Sequence, residues 1–480
     1  MFISSGNGNA KSFEVATSLE SGSFVADRYS LAGHPVAERF RCPDDLIHLL
    51  VAEDLAGPTG CFWLGSDAVS LRRCSATAPA ESAGETPLDF RQKGALGLAT
   101  AEFPFDPVRL IEHLRFERYV ADWPGAWRAI YRHRLLRAAY SMVRPALPFS
   151  ARRLLQRLYF RGWENISFPK WPVDATVEST LKQILAVAMK AVGVDRVPFV
   201  WFWPEGALSC TIVTHDVETR SGRDHCSRLM DLNDSFGIKS SFQIVPEGRY
   251  AVPESVLAEM RERGFEVNIH DLNHDGRLMC ERTEFLRRAQ RINRYARQYG
   301  ALGFRSAVMY RNLDWYDALD IAYDMSVPNV AHLDPQQGGC CTVFPFFAGK
   351  ILELPVTTTQ DYSLFHILRD YSIELWKEQM SLIRGENGLI SFIIHPDYII
   401  HEAAERVYTE LLQHLAELRA QQETWLALPR DIAAWWQLRS RMSVTETGGA
   451  WRIVGAGSER AKLAYALLEG DTVRYELERN

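Results

Sequence analysis

From residue 196 onward the chain alternates between two hydrophobic periods. Short apolar blocks rich in β-branched residues fall at 208–214, 240–245, 265–270, 302–305, 321–325, 351–355 and 389–395, with 425–428 as an eighth candidate. Between them, apolar positions recur at helical spacing over 223–236, 253–263, 281–299, 312–319, 368–385 and 401–421. Repeated strand–helix units predict an α/β domain with a parallel sheet, closed or nearly closed into a barrel. A helix over 430–439 ends that domain, which is expected to span 196–440. The remainder, 441–480, reads as a small β appendage. Upstream, residues 1–105 carry short alternating segments and Gly/Ser/Pro punctuation, with a low-complexity stretch at 75–84; they predict a β-leaning domain. From Asp106 the pattern turns helical, with Val108, Leu110, Ile111, Leu114 and Phe116 in phase, which opens a helical region over 106–195.

Part of that region is unusual in charge. Residues 127–170 hold ten Lys and Arg against one acid, Glu164, interleaved with Trp127, Tyr131, Tyr140, Tyr159, Phe160 and Trp163. Two basic amphipathic helices about Pro145 and Pro148 fit this composition. Such helices suit an anionic membrane surface; an arginine-rich face packed on an acidic domain fits equally. Charge alone admits nucleic acid, but no binding motif supports it, so none is expected.

The rest of the composition is that of a globular protein. At 480 residues the chain is long enough for two or three cores, and 47% hydrophobic with 24% charged residues is ordinary. No apolar run reaches the length that spans a bilayer. The stretch from Met1 to Gly8 does not read as a secretory signal, and the eight cysteines show no CxxC. Reduced thiols in a cytoplasmic protein, peripheral on the inner face of the cytoplasmic membrane through 127–170, are the expectation.

Chemistry concentrates at the ends of the predicted strands. On a parallel barrel those ends share one face, where sites are assembled from several strands. The first strand ends in Asp216 and Glu218, and the third in His270 and, four residues on, His274. The fourth ends in Arg305, Asp361 follows the sixth, and His395 closes the seventh. Two imidazoles and a strand-end carboxylate can hold a divalent cation with open positions. The remaining groups supply a general base, a cation to hold it and an acid/base histidine. Asp216 and Glu218 are two apart and face the same way on an extended strand, so either could ligate. Asp271 and Asp275 could accept hydrogen bonds from the imidazoles, or Asp275-Gly276 could only make a turn. His215 points away from Asp216 and reads as a core histidine. Cys340 and Cys341 lack a base partner and read as loop residues.

With these residues in place, the segment from about 205 to 400 resembles the NodB-homology domain of polysaccharide deacetylases, carbohydrate esterase family 4. His270-x-x-x-His274 is similar to its metal-binding pair, and His395-Pro396 to its catalytic-histidine motif. Thr214-His215-Asp216-Val217-Glu218 stands in the place of Thr-Phe-Asp-Asp, with Val217 splitting the carboxylates. Gly303-Phe304-Arg305 stands where the family has its base-orienting arginine, although Ser306-Ala307 replaces the usual Pro and Gly. Asp361 matches the late aspartate that tunes the histidine. The resemblance implies a distorted (β/α)7–8 barrel and a metal-dependent hydrolase of a non-peptide carbon–nitrogen bond. The substrate implied is an N-acetylated sugar in a polysaccharide or a lipid-linked glycan precursor. Zn²⁺ would sit on His270, His274 and Glu218, with Asp216 as the alternative ligand. Asp216 would serve as base, Arg305 as its holder and His395 as acid. The alternatives are a deformylase or other amidohydrolase on a non-carbohydrate substrate, and a catalytically silent glycan-binding barrel.

Overall fold

The structure is a computed structural model describing residues 3–4, 35–42, 49–51, 60–64, 70–75, 88–89, 101–103, 107–122 and 155–478. The chain divides into two compact units, one of residues 124–174 and 207–434, the other of 1–123, 175–206 and 435–480.

The first of these carries the strand–helix repeat. Its strands are β1 (Cys210–Val217), β2 (Ser241–Ile244), β3 (Glu266–His270), β4 (Gly303–Arg305), β5 (Tyr323–Asp324), β6 (Phe346–Ala348), β7 (Ile351–Glu353), β8 (Leu389–Ile394) and β9 (Trp425–Leu426). The main helices are α1 (Arg220–Ser235), α2 (Glu254–Glu262), α3 (Arg282–Tyr299), α4 (Glu374–Gly385), α5 (Pro396–Ile399) and α6 (Glu402–Ala420). The sheet order is β6-β7-β5-β4-β3-β2-β1-β8, with β9 also on β1. Every pairing is parallel except β6 with β7. β1 is buried at all eight positions and β8 at all six, as expected of strands covered on both faces. Helices α1 and α3 bury one stripe each, Cys226, Leu229 and Met230 in α1 and Phe285, Ala289 and Ile292 in α3.

The curl of the sheet closes without a regular ladder. Beyond β7, Thr357 Oγ1 donates to Leu389 O at 2.8 Å and accepts from Ser391 N at 2.9 Å. Thr358 donates to Ser391 O through its Oγ1 at 2.8 Å, and Leu389 N donates to Val343 O at 2.7 Å. Hydroxyls thus stand in for a missing strand at the seam, which gives the distorted α/β barrel the sequence predicts. Three features had no period to announce them: the antiparallel β6, the single-turn α5, and a π-helix over Ser363–Leu368. The stretch expected as helix over 312–319 is a 3₁₀ helix, Leu313–Ala318, and the helix expected from 368 begins at Glu374.

The second unit contains helix Thr176–Val192 and an antiparallel sheet of Arg196–Val200, Leu463–Glu469 and Thr472–Leu477. Residues 196–200, which the sequence reading put at the start of the barrel domain, form a strand that pairs antiparallel with 463–467, and Thr472–Leu477 pairs on the other side of that strand. Phe40, Phe199, Phe202 and Tyr475 pack there with centroids 5.5–6.3 Å apart. Helix Pro107–Arg115 forms where the sequence turns helical. Short strands at Gly60–Leu64 and Ser70–Ser75 match the β-leaning pattern. Residues 123–154, most of the basic segment, lie outside the described residues. Among the described residues no helix is long and apolar enough to cross a membrane.

Candidate active site

The strand ends named above do come together. β1 stops after Val217, and Thr219 turns the chain into α1 by accepting the Gly222 N–H on its Oγ1 at 3.0 Å. Asp216 stays on the buried strand, while Glu218 is carried out to the rim, its side chain 23% exposed. β8 ends because Pro396 follows His395, and proline suits the first position of α5. β3 ends at His270, and the loop after it puts Asp271 and His274 at positive φ, +54° each. That left-handed backbone costs a non-glycine residue about 1–2 kcal/mol, a strain that clusters at functional sites. It brings the imidazoles of His270 and His274 to a centroid distance of 4.8 Å, a convergence made by a strained turn rather than a helix.

Two constellations result. In the first, one donor atom each from Glu218, His270 and His274 lies within 4.8 Å of the others. Glu218 Oε1 stands 2.8 Å from His274 Nε2 and 3.6 Å from His270 Nε2. Both Nε2 atoms are buried without a hydrogen bond. His270 Nδ1 faces the Arg305 carbonyl at 3.1 Å, which leaves Nε2 as the lone-pair nitrogen turned to the centre. A carboxylate and two imidazoles with orphaned, convergent nitrogens fit a divalent cation of the zinc type.

The second constellation holds protons. Asp216 Oδ1 accepts from Arg305 Nη1 at 2.7 Å, while Oδ2 lies 3.7 Å from His270 Nε2. Burial works against the charge on Asp216, but Arg305, His270 and His395 together hold its carboxyl below the usual range. Arg305 is fully buried; its Nη1 also donates to Thr214 Oγ1 at 2.7 Å and its Nε to Met325 O at 2.9 Å. Gly303, two residues earlier, has to be glycine: a Cβ there would fall 2.2 Å from the Tyr323 ring. His395 Nδ1 meets Asp361 Oδ1 at 2.6 Å, and Asp361 Oδ2 accepts the His395 backbone N–H, also at 2.6 Å. Burial opposes a charged His395, yet Asp361 and Glu218 raise its imidazole well above the ordinary value. Its Nε2 points toward Glu218 Oε1, 3.4 Å away.

Of the two carboxylates, Glu218 lies against both histidines, while Asp216 is gripped by Arg305 and turns its other oxygen to His270 alone. Asp271 and Asp275 are not bonded to either imidazole; Asp275 pairs with Arg288 at 2.8 Å and Asp271 accepts the Leu272 N–H at 2.6 Å. His215 is a core histidine, 3.0 Å from Ser240 Oγ, with burial pushing its imidazole down to about 3. Cys340 and Cys341 are buried loop residues whose thiols point to the backbone carbonyls of Thr342 and Gly339. Two neighbours had no signal in the sequence. Arg249 sets its Nη2 2.9 Å from His274 Nδ1 and 2.6 Å from its carbonyl. Tyr398 lays its ring 4.8 Å from His395.

No family model matches the chain, and no curated protein matches it. Several solved structures are similar over about half of it. A putative polysaccharide deacetylase from Mycobacterium smegmatis aligns with 52% of this chain and 96% of its own, at 17% identity and a TM-score of 0.41. PuuE allantoinase covers 49% and 92%, at 14% identity and a TM-score of 0.41. The peptidoglycan deacetylase PdaC from Bacillus subtilis covers 48% and 93%, at 12% identity and a TM-score of 0.32.

Proposed function

We propose that this chain is a metal-dependent hydrolase that removes the N-acyl group from a sugar. The observation that carries the reading is the separation of Asp216, held by Arg305, from Glu218, which converges with His270 and His274. A cation bound by His270, His274 and Glu218 would supply Lewis-acid polarisation of the amide carbonyl and acidify a water. Asp216 takes the proton of that water; Arg305 keeps it ionised and aimed. His395, protonated and oriented by Asp361, donates from Nε2 to the departing amine, so the nitrogen leaves as a neutral amine rather than an anion. The carbon–nitrogen bond breaks as the new carbon–oxygen bond is kept, giving a carboxylate and a free amino sugar.

The decisive experiment assays acetate release by the metal-loaded protein from N-acetylated sugars, monomer to hexamer, with and without chelator. Release that stops on chelation and returns with Zn²⁺ is expected. A metal-loaded protein that releases no acetate from any of them, or that works equally after chelation, overturns the reading.

A further inference from the structure

The two histidines that converge with Glu218 are not prepared alike. His270 turns Nδ1 to the Arg305 carbonyl, which can only accept, so its ring hydrogen sits on Nδ1 and Nε2 keeps a lone pair. His274 turns Nδ1 to Arg249 Nη2 at 2.9 Å. A guanidinium only donates, so here Nδ1 is the acceptor. A neutral His274 ring in this bond carries its hydrogen on Nε2, the nitrogen that stands 2.8 Å from Glu218 Oε1. That nitrogen cannot hold a hydrogen and give its lone pair to a cation at once. For His274 to ligate as a neutral ring, the hydrogen has to move to Nδ1, where it would point into an N–H of Arg249.

Arg249 can give way without disturbing the fold. It lies in the loop after β2, whose backbone is fixed on two sides. Glu247 N donates to Leu272 O at 3.0 Å, while Tyr250 OH donates to Val217 O at 2.5 Å and accepts the Val245 N–H at 3.0 Å. The Arg249 side chain has no such ties. The residue is exposed, and among the described residues no carboxylate pairs with it; Glu247 of the same loop is taken by Arg291. Its one other anchor is the His274 carbonyl, 2.6 Å from the same Nη2. Rotation of the guanidinium therefore frees Nδ1 and leaves the charge in water.

We propose that Arg249 is a latch on His274: it holds the ring form that cannot take a cation through Nε2, and it leaves Nδ1 when a cation enters. His270 and Glu218 are then the standing ligands, and His274 joins them only by breaking one charge-assisted hydrogen bond. The inference rests on the metal-site part of the reading above. It adds that the site holds its cation less tightly than its three ligands allow, so that the cation exchanges.

The test reads affinity and ring form separately. Zn²⁺ affinity is measured by competition with a chelator for wild type and for Arg249→Met, an unbranched side chain that donates nothing. Arg249→Met should bind Zn²⁺ at least about tenfold more tightly, the worth of one charge-assisted hydrogen bond. Unchanged or weaker binding in a folded Arg249→Met overturns the latch, since loss of an ordinary supporting residue weakens the ligand it touches. The ring form is read from proton–nitrogen correlation spectra of histidine-labelled protein stripped with chelator, with His274 assigned through His274→Gln. Stripped wild type should carry the His274 hydrogen on Nε2 and the His270 hydrogen on Nδ1; one equivalent of Zn²⁺ should move the former to Nδ1. A His274 hydrogen already on Nδ1 in stripped wild type overturns the latch, and tighter binding by Arg249→Met would then be an effect of charge alone. If wild type binds no Zn²⁺, the function above fails on its own, and the His274 ring form in stripped protein still decides the inference.

Discussion

Asp216 and Glu218 leave the same strand face and meet different partners, and the difference carries the residue-scale predictions. Replacing both His270 and His274 by alanine should abolish tight binding of one divalent ion per chain; elemental analysis after dialysis reads it, and unchanged stoichiometry would place the ion elsewhere. Asp216→Asn should keep the ion and lose at least about a hundredfold in kcat, the scale of a general base. If instead Asp216→Asn loses the ion and Glu218→Gln keeps it, the two carboxylates exchange roles. The histidine pair was legible because its two members sit four residues apart in one turn. The choice between the carboxylates was not, since alternation places them on one face and only Arg305, about ninety residues on, tells them apart. Arg249 left no trace, because it makes its contact with His274 from an irregular loop where no period marks direction.

Among the elements, most strands and helices declared themselves through their periods; the seam did not, because threonine hydroxyls rather than a ladder close it. Thr357→Val removes a donor and an acceptor there and strands two buried backbone groups. It should cost about 1–3 kcal/mol in denaturant unfolding, with little change in size or metal content. A second element-scale case lies between β5 and β7. Asp324 and Glu353 are neighbours in register and fully buried, so burial disfavours charge on either carboxyl. They support the backbone past β5: Asp324 takes the Ser326 N–H at 2.9 Å and Glu353 the Val327 N–H at 3.0 Å. Burial raises both carboxyls, Glu353 well above its ordinary range. With folded values above unfolded ones, their stabilisation is complete below the ordinary carboxyl range and lost as pH rises through the raised values. Denaturant midpoints should therefore fall toward alkaline pH in wild type and fall less in Glu353→Gln, whose amide carries no charge to bury. Parallel pH curves for the two proteins would refute the raised Glu353 carboxyl.

At the scale of the molecule, the segment 127–170 combines ten cations with aromatic residues in the chain that leads to the barrel. If it docks on anionic lipid, the protein should sediment with anionic vesicles at low salt and release near about 1 M salt, where screening is nearly complete. Neutralising Arg152, Arg153 and Arg157 should weaken it; equal binding to neutral vesicles would remove the lipid reading. The barrel was legible at this scale because six strand–helix units repeat one pattern. The pairing of 196–200 with the C-terminal hairpin was not, because it joins segments more than 260 residues apart. Arg305, finally, touches both halves of the site: its guanidinium grips Asp216 and its own carbonyl faces the His270 ring. One residue therefore acts as a gauge block between the Asp216 carboxylate and the His270 imidazole. Loops around the mouth can be lengthened or shortened without resetting the spacing between that carboxylate and that imidazole.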